Sequence, residues 1–390
     1  MVKMRRAVVL LLTLLLLIAA VPAEAAAAKP TLYDTIYQGF MNTDASIDLS
    51  AFRASADSVK DTIQRLTFEK PDLFFVEPSY TFYENKEKGY ITSLLPNYSI
   101  TGAKLNSARA DYQQRLQAIV DMVDTDWSDV QKLLFVHDYL GTHFSYDTDL
   151  TVADAYTFLT GGTGVCQAYM LTFRAVMDAV GVTTSWAHSA SMNHVWTLAL
   201  VDGNWYHIDV TWGDALPDRF GHVGHTNFLC SDAAIGATGH HDWVSDYTCS
   251  STRFDTNAVW TAINAPFATI DGTWYYVQSD RTLYACDLAG STPVAVRELS
   301  SHWPAGGNSY WPGFYGGLSA YNGKLYFNTP SALCAYDPVT DKLTELFTLS
   351  DKTMSIFGSY LETDTASGQT VMHYELATSP NGNAASHERY

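Results

Sequence analysis

The chain has 390 residues, of which 47% are hydrophobic and 16% are charged, so it is long enough for two or three domains with buried cores. Its 41 acidic residues outnumber the 23 basic ones, and the formal net charge is −18. This balance argues against a nucleic-acid-binding protein, because binding to phosphate groups needs basic side chains.

Residues 1–28 have the pattern of a secretory signal peptide. A basic start (MVKMRR) precedes an apolar run from Ala7 to Val21, and Ala23-Glu24-Ala25 fits a cleavage site. The alternative is an uncleaved membrane anchor, but the run is shorter than the about 20 residues that span a bilayer. We therefore predict a secreted, extracellular or cell-surface protein with no stable membrane anchor after cleavage.

Five cysteines are present, and an odd number leaves at least one free thiol in an exported protein. Cys166 is the one we expect to stay free. Cys230 could pair with Cys249, but five free thiols are an equally open alternative. The other two cysteines are Cys286 and Cys334.

The region 29–105 is predicted to contain two helices and a β-hairpin. The helices are predicted at Leu32–Met41 and Ser55–Leu66, and the aromatic-rich and β-branched strands at Asp72–Tyr83 and Gly89–Tyr98. Pro78 indicates an edge strand or a break, because proline cannot donate a ladder hydrogen bond.

Three further helices are predicted at Ser107–Asp124, Ser128–His143 and Ala153–Leu159. Ser128 is a good N-cap for the second of them, and Gly141 is expected to weaken or end it. A fourth helix is predicted from Gln167 to Val180, with Gly181 in the position that favours a left-handed residue.

Cys166 lies between the flexible turn Gly161-Gly162-Thr163-Gly164 and this fourth helix. A cysteine at a helix N-terminus lies at the positive end of the helix dipole, which favours the nucleophilic thiolate. The alternative is a small buried core residue, which is the commonest role of a free cysteine.

Two strands after this helix carry His194 and Asp209. They read HVWTLALV and WYHIDVTW, and Asp202-Gly203 between them is a strong hairpin signal. A two-residue turn there places His194 opposite Thr211, with Asp209 as a diagonal neighbour on the same face, roughly 7–8 Å away between backbones. Both residues could instead be ordinary polar positions of a half-exposed strand. Competing candidates nearby are His188, His207 and Asp214.

From Ala268 onward the chain predicts an all-β repeat. ATIDGTWYYVQSDRTLYACDLAG resembles LSAYNGKLYFNTPSALCAYDPVTDK, which begins at Leu318, and each copy contains a tight turn, Asp271-Gly272 or Asn322-Gly323. The period of about 50 residues suits a propeller blade. With a degraded third copy at Ile356–Leu376, a partial propeller or a small β-sandwich is predicted.

The stretch from Cys166 to Asp209 resembles the transglutaminase-like superfamily. The matching motifs are G-V-C-Q-A-Y, N-H-V-W and W-Y-H-I-D-V-T-W, in the order cysteine, histidine, aspartate. The resemblance covers about 130–210, and it departs from the family pattern at Ala168, where glycine is common, and Val210, where proline is frequent. It implies an α+β, papain-like fold in which Cys166 is the nucleophile, His194 the base and Asp209 the group that orients it.

The resemblance completes the domain prediction. We expect a signal peptide (1–28), an N-terminal helical and hairpin region (29–105), a transglutaminase-like catalytic domain (106–255), a C-terminal β-repeat, partial propeller-like domain (256–378) and a disordered tail (379–390). No cofactor is predicted. The candidate ligands His222, His225, Cys230, His240 and His241 do not match a standard zinc spacing, so no metal is predicted either.

The expected function is an exported cysteine-dependent acyl-transfer enzyme that works through a thioester. A peptidase or amidase acting on extracellular or cell-wall peptides is the leading hypothesis. A protein cross-linking transglutaminase is the alternative with the same triad, and a non-catalytic cell-surface binding protein is the alternative of another class. The expected partner is a protein or peptide substrate.

Overall fold

The computed structural model describes residues 29–390 except 215, 257, 289, 291, 364–367, 381 and 383. The predicted signal peptide therefore lies outside the described residues. No helix in the described part is both long and apolar enough to cross a membrane.

The N-terminal region folds as the sequence predicts, into two helices and a hairpin. The elements are α1 (Leu32–Met41), β1 (Ile47–Asp48), α2 (Ala56–Glu69), β2 (Val76–Asn85) and β3 (Tyr90–Tyr98). Ser55 caps α2 by accepting a hydrogen bond from the Ser58 N–H. The sheet order is β1-β3-β2, so Pro78 lies in an edge strand, and the pairing register shifts between Val76 and Tyr80.

Four helices and two short strands build the next layer. They are α3 (Gly102–Val120), α4 (Asp129–His143), β4 (Ser145–Tyr146), α5 (Ala155–Gly161), β5 (Thr163–Gly164) and α6 (Cys166–Ala179). Ser128 and Gln131 form a capping box at the start of α4, as the predicted N-cap suggested.

Gly141 was predicted to weaken or end α4, and it does not end the helix, because α4 continues to His143. A Cβ atom on Gly141 would lie 2.6 Å from Cγ2 of Val223. The glycine thus allows a neighbouring loop to pack closely against the helix, and this tertiary contact outweighs its low helix propensity.

A five-stranded antiparallel sheet packs against α6. Its order is β10-β6-β7-β8-β9. The elements of this part are β6 (Thr184–Ser189), β7 (His194–Val201), β8 (Asn204–Ile208), α7 (Val210–Gly213), β9 (Phe228–Cys230), α8 (Asp232–Ala237) and β10 (Trp243–Val244). Buried side chains of α6 such as Phe173 share one apolar core with Val195 and Ala199 of β7. Burial of this core stabilises the packing of α6 on the sheet.

The β7–β8 hairpin has the predicted register, since Val201 pairs with Asn204 and Leu198 with His207. Asp202 and Gly203 both have positive φ, 48° and 78°, as a type I′ turn requires. The predicted pairing of His194 with Thr211 is wrong, because β8 ends at Ile208 and a helical turn, α7, follows.

The C-terminal part consists of separate antiparallel sheets. The first is formed by β11 (Ala268–Ile270), β12 (Thr273–Val277), β13 (Thr282–Cys286) and β14 (Val294–Glu298). A two-stranded sheet has β15 (Trp303–Gly306) and β16 (Ser309–Trp311). The next has β17 (Leu318–Tyr321), β18 (Lys324–Asn328), β19 (Ala332–Asp337) and β20 (Lys342–Thr348), and the last has β21 (Ser355–Thr363), β22 (Thr370–Ala377) and β23 (Ser386–Arg389).

The two predicted repeat copies are both four-stranded sheets, and their first turns, Asp271-Gly272 and Asn322-Gly323, have positive φ throughout. None of the sheets in the described residues closes on itself. A propeller-like arrangement stays a prediction.

The tail from residue 379 was predicted to be disordered, yet Ser386–Arg389 forms β23 and pairs with β22. The polar composition of this segment does not indicate a strand, and the strand forms through its pairing with β22, the strand before it in the chain.

The first C-terminal sheet belongs to the same apolar core as the helical layer. Trp274 packs against Trp127 with ring centroids 5.2 Å apart, and Tyr276 is buried in the cluster that contains α4 and α6. A second apolar cluster contains residues of the first sheet and of the sheets that follow, among them Val277, Leu325 and Phe357. The first sheet thus supports the layer that carries Cys166.

Candidate active site

Cys166 is the first residue of α6, and Val165 before it has an extended backbone. The segment before the helix is held by β4 and β5, which pair in parallel through Ser145–Thr163 and Tyr146–Gly164. A Cβ on Gly164 would lie 2.5 Å from the Phe158 ring and 2.8 Å from Cβ of Ala168, so only glycine fits there. The thiol is free and partly buried, at the positive end of the helix dipole.

His194 starts β7 and forms a short hydrogen bond with Asp209, whose Oδ2 lies 2.7 Å from Nε2. Both side chains are buried, with 8% and 1% of their surface exposed. The other ring nitrogen is left for Cys166, and the interaction with this thiol also acts to raise the pKa of His194, which indicates that the two side chains lie next to each other. The structure therefore brings together all three residues that the sequence singled out.

The surroundings of His194 favour its charged form. Burial alone would lower its pKa, but the negative charge and hydrogen bond of Asp209, together with the contact to Cys166, raise the pKa to about 10. For Asp209, burial acts to raise the pKa, and the charge and hydrogen bonds of His194 and His240 hold it well below the usual range. The site is thus suited to a thiolate–imidazolium pair with an ionised carboxylate behind it.

Asp209 reaches His194 from the end of a strand rather than from within one. It is the N-cap of α7, and its Oδ1 accepts a hydrogen bond from the Trp212 N–H at 3.2 Å. Its own backbone N–H donates to the Asn227 carbonyl at 2.9 Å. The Asp209 carboxylate is therefore fixed by a helix-cap interaction, whereas the sequence predicted that Asp209 lies within a strand.

His240 is a member of the site that the sequence did not identify. Its Nε2 lies 2.8 Å from the same Oδ2 of Asp209 that binds His194, and its side chain has no exposed surface. The sequence placed it only among possible metal ligands. No local pattern distinguishes it, because it follows α8 in a loop 31 residues beyond Asp209.

The competing residue His207 faces another partner. Its Nδ1 accepts a hydrogen bond from Trp196 Nε1 at 2.9 Å, so its Nε2 carries the proton and donates to Asp232 Oδ1 at 2.8 Å. Trp196 in turn stacks on His194 with ring centroids 5.4 Å apart. His207 therefore supports the site from behind and does not compete for Cys166.

The other two competitors also have different partners. The His188 ring packs against Phe68 at 5.1 Å, and burial, followed by the charge of His194, lowers its pKa. Asp214 accepts a hydrogen bond from the Tyr169 hydroxyl, which joins the end of α7 to α6. Neither residue takes the place of Asp209 beside His194.

Two aromatic side chains border the sulfur and the imidazole. Trp212 is 44% exposed and its ring lies 5.8 Å from the His194 ring. Burial raises the pKa of the Tyr146 hydroxyl, and the negative charge of Cys166 raises it further, which indicates that the hydroxyl lies near the thiol.

Three groups in the described part of the chain have the composition of a cation site: His137–Asp138–His225, His194–Asp209–His240 and His207–Asp232–Cys249. In each group the carboxylate already accepts hydrogen bonds from histidine nitrogens. The five candidate ligands in the sequence do not gather in one place, since His225 belongs to the first group and His240 to the second. These residues fit hydrogen-bonded cores better than metal centres.

The sequence model of the transglutaminase-like superfamily matches residues 116–210. No curated protein matches the chain. Two solved structures with some similarity are a candidate cysteine protease from Cytophaga hutchinsonii and a TGase. Their identities are 14% and 12%, and their TM-scores are 0.23 and 0.24.

The first of these similarities covers 36% of this chain and 64% of the other, and the second covers 34% and 43%. The chain thus spans less than two thirds of the structures to which it is similar. The family match includes Cys166 and His194 and ends just after Asp209. Residues 116–210 belong to the transglutaminase-like superfamily.

Proposed function

We propose that the protein is an exported cysteine-dependent acyl-transfer enzyme that hydrolyses amide bonds in extracellular or cell-wall peptides. The observation that supports this most strongly is the Asp209–His194 hydrogen bond of 2.7 Å, with Cys166 at the start of α6 beside the same imidazole. A nucleophile, a base and a group that orients the base are the elements that thiol catalysis requires.

In the proposed reaction the Cys166 thiolate attacks the carbonyl carbon of an amide, and the carbonyl π electrons move to oxygen. The backbone N–H of Cys166 can donate to this oxygen, since the first N–H groups of a helix have no acceptor within it. His194 then donates its Nδ1 proton to the leaving amine as the carbon–nitrogen bond breaks, which leaves a thioester on Cys166.

Water resolves the thioester in the second half of the reaction. His194, now neutral, accepts a proton from water while the oxygen attacks the thioester carbon. The carbon–sulfur bond breaks, Cys166 leaves as thiolate and His194 returns to imidazolium, so the resting pair is restored. A primary amine in place of water would give transfer instead of hydrolysis, with the same three residues.

Synthetic peptides incubated with the full chain, with and without a primary amine, test this proposal by mass spectrometry. Hydrolysis of a peptide bond gives two fragments whose masses sum to the substrate plus water. Transfer at the same bond joins one fragment to the amine and releases the other fragment, whereas transfer from a glutamine side chain gives an adduct of peptide and amine with loss of ammonia. Cys166→Ala should abolish either product, whereas Cys334→Ala, which removes a buried thiol in β19, should not. Products that persist in Cys166→Ala, or peptide binding without any product, would overturn the proposal.

Export follows from the predicted signal peptide and needs its own test. Expression of the full chain in a bacterial host, followed by N-terminal sequencing of the protein outside the cytoplasm, should show cleavage near Ala25 or the alanines after it. Retention of the intact N-terminus in the membrane fraction would contradict it.

A further inference from the structure

We propose that His240 is a positioning residue of the active site, which holds the Asp209 carboxylate in the orientation that binds His194. The inference rests on the proposed function, because positioning has meaning only if Cys166 and His194 react. It concerns a residue outside the matched family segment, 116–210, and outside the predicted triad.

The first observation is the shared oxygen. Oδ2 of Asp209 accepts hydrogen bonds from His194 Nε2 at 2.7 Å and from His240 Nε2 at 2.8 Å, while Oδ1 accepts from the Trp212 N–H at 3.2 Å. Three donors in three directions leave the buried carboxylate one orientation. Without His240, Oδ2 would keep a single donor, and the carboxylate could rotate about its Cα–Cβ and Cβ–Cγ bonds.

The second observation is a closed ring of hydrogen bonds. The Asp209 backbone N–H donates to the Asn227 carbonyl at 2.9 Å, and the Asn227 side-chain oxygen accepts from Thr238 Oγ1 at 2.7 Å. Thr238 Oγ1 lies 3.3 Å from His240 Nδ1, and His240 returns to the Asp209 carboxylate. The loop that carries His240 is thus tied to both the backbone and the side chain of Asp209.

The third observation is the packing of the imidazole between two indoles. The His240 ring lies 4.1 Å from the Trp212 ring and 4.8 Å, edge to face, from the Trp196 ring. Gly239 before it has φ of +111°, which L side chains rarely adopt, so the backbone there turns in a way that favours glycine. His240 therefore also supports Trp212, the exposed indole beside His194.

The contact of His240 with Asp209 should affect the reactivity of Cys166. The proposed reaction needs a charged His194 beside Cys166, and the negative charge of Asp209 favours that charge. Loss of the His240 donor should loosen Asp209 and weaken that charge pair. The reactivity of Cys166 at pH 6 to 7 should fall by about tenfold, which corresponds to one hydrogen bond to a charged group.

The test is the rate of iodoacetamide alkylation of Cys166 in the full chain, measured by peptide mass spectrometry from pH 5 to 10. In His240→Met and His240→Asn we expect a rate lower by about tenfold near pH 6.5 and an acid limb of the profile shifted to higher pH. His240→Gln should restore most of the rate, because a Gln side-chain N–H can reach the place of Nε2, whereas the shorter Asn cannot.

His241→Gln is the matched control, since this neighbouring histidine is exposed and pairs with Asp242 at 3.0 Å. It should leave the profile unchanged, and thermal unfolding of every variant shows which ones fold. If folded His240→Asn has the wild-type profile, or if His240→Gln is as slow as His240→Asn, the inference is wrong. If Cys166 of the wild type is no more reactive than an ordinary thiol, the proposed function itself fails.

Discussion

Trp196 donates its indole N–H to His207 across 2.9 Å, and this hydrogen bond fixes the tautomer of a histidine that does not contact Cys166. The same indole stacks on His194 and meets His240 edge to face. The histidine–x–tryptophan motif thus contributes the imidazole that binds Asp209 and, two residues later, the indole that packs against it.

Trp196→Phe should reduce stability, because it leaves the buried Nδ1 of His207 without a donor. An unpaired buried acceptor costs about 1–3 kcal/mol, and the smaller ring removes part of the packing on His194. Urea unfolding of the variant measures this cost. Trp205→Phe is the control, since this half-buried indole stacks on Tyr247 at the sheet surface and should cost less. Equal costs for the two variants would contradict the role given to Trp196.

The buried ion pair between Arg219 and Glu375, 3.0 Å apart, joins the loop after α7 to β22. Arg219→Met removes the guanidinium from the buried carboxylate and leaves only the Phe220 N–H at 3.4 Å and His387 at 3.8 Å beside it, so we expect a loss of about 3–5 kcal/mol at pH 8. Arg253→Met breaks an exposed pair with Asp202 and should cost less than about 1 kcal/mol. Chemical unfolding of both variants makes the comparison.

The cost of Arg219→Met should also depend on pH. Burial raises the pKa of Glu375 to about 7, and the charge of Arg219 opposes this shift. Between pH 4.5, the ordinary pKa of a Glu side chain, and about pH 7, Glu375 is more often protonated in the folded state than in the unfolded chain. Protonation of Glu375 therefore stabilises the folded state at low pH, and this contribution is lost as the pH rises through 7. Without Arg219 that loss is larger, and the variant should be less impaired at pH 5 than at pH 8. A defect of the same size at both pH values would contradict this assignment.

Asp138 in α4 joins three parts of the chain. Its carboxylate accepts hydrogen bonds from His137 Nδ1 at 3.0 Å, from His225 Nε2 at 2.8 Å and from the Phe267 backbone N–H at 2.7 Å. His225 also donates to the Ile263 carbonyl at 2.8 Å, so both of its nitrogens carry protons and the ring is charged.

Asp138→Asn should therefore cost about 3–5 kcal/mol, because it leaves the charged His225 buried beside a neutral amide. The measurement is the free energy of unfolding near pH 7. Asp111→Asn, which removes an exposed i,i+4 pair with Arg115, should cost less than about 1 kcal/mol. A small effect of Asp138→Asn would show that this buried group does not hold the C-terminal strands to α4.

Local sequence signals predicted the parts of the site that depend on local structure. The Ser128 cap of α4, the Asp202-Gly203 turn and the start of α6 at Cys166 were predictable. Each of these features depends only on residues that are neighbours in the sequence. The end of β8 was mispredicted. Val210 and Thr211 are β-branched and favour a strand, but Asp209 caps a helical turn there and leaves the sheet.

His240 and the C-terminal strand β23 could not be predicted, because neither has a local sequence pattern. His240 binds a residue 31 positions earlier, and β23 is a polar strand that pairs with the strand before it. His240 contacts Asp209 only through the fold of the loop after α8, and β23 is stabilised by β22 rather than by its own composition. Gly141 shows the same limit, since its contact with Val223 overrides helix propensity. Tertiary contacts of this kind leave no periodic pattern in the sequence.

The most direct test of the central claim is the alkylation rate of Cys166 in wild type and in His194→Ala, at neutral pH and across the pH range. A thiolate paired with His194 predicts rapid alkylation that persists well below the ordinary thiol pKa, and a decrease of at least about tenfold in His194→Ala. His188→Ala, on the neighbouring strand β6, should react like the wild type. Equal rates in wild type and His194→Ala, both rising only near the ordinary thiol pKa of about 8.5, would contradict the account.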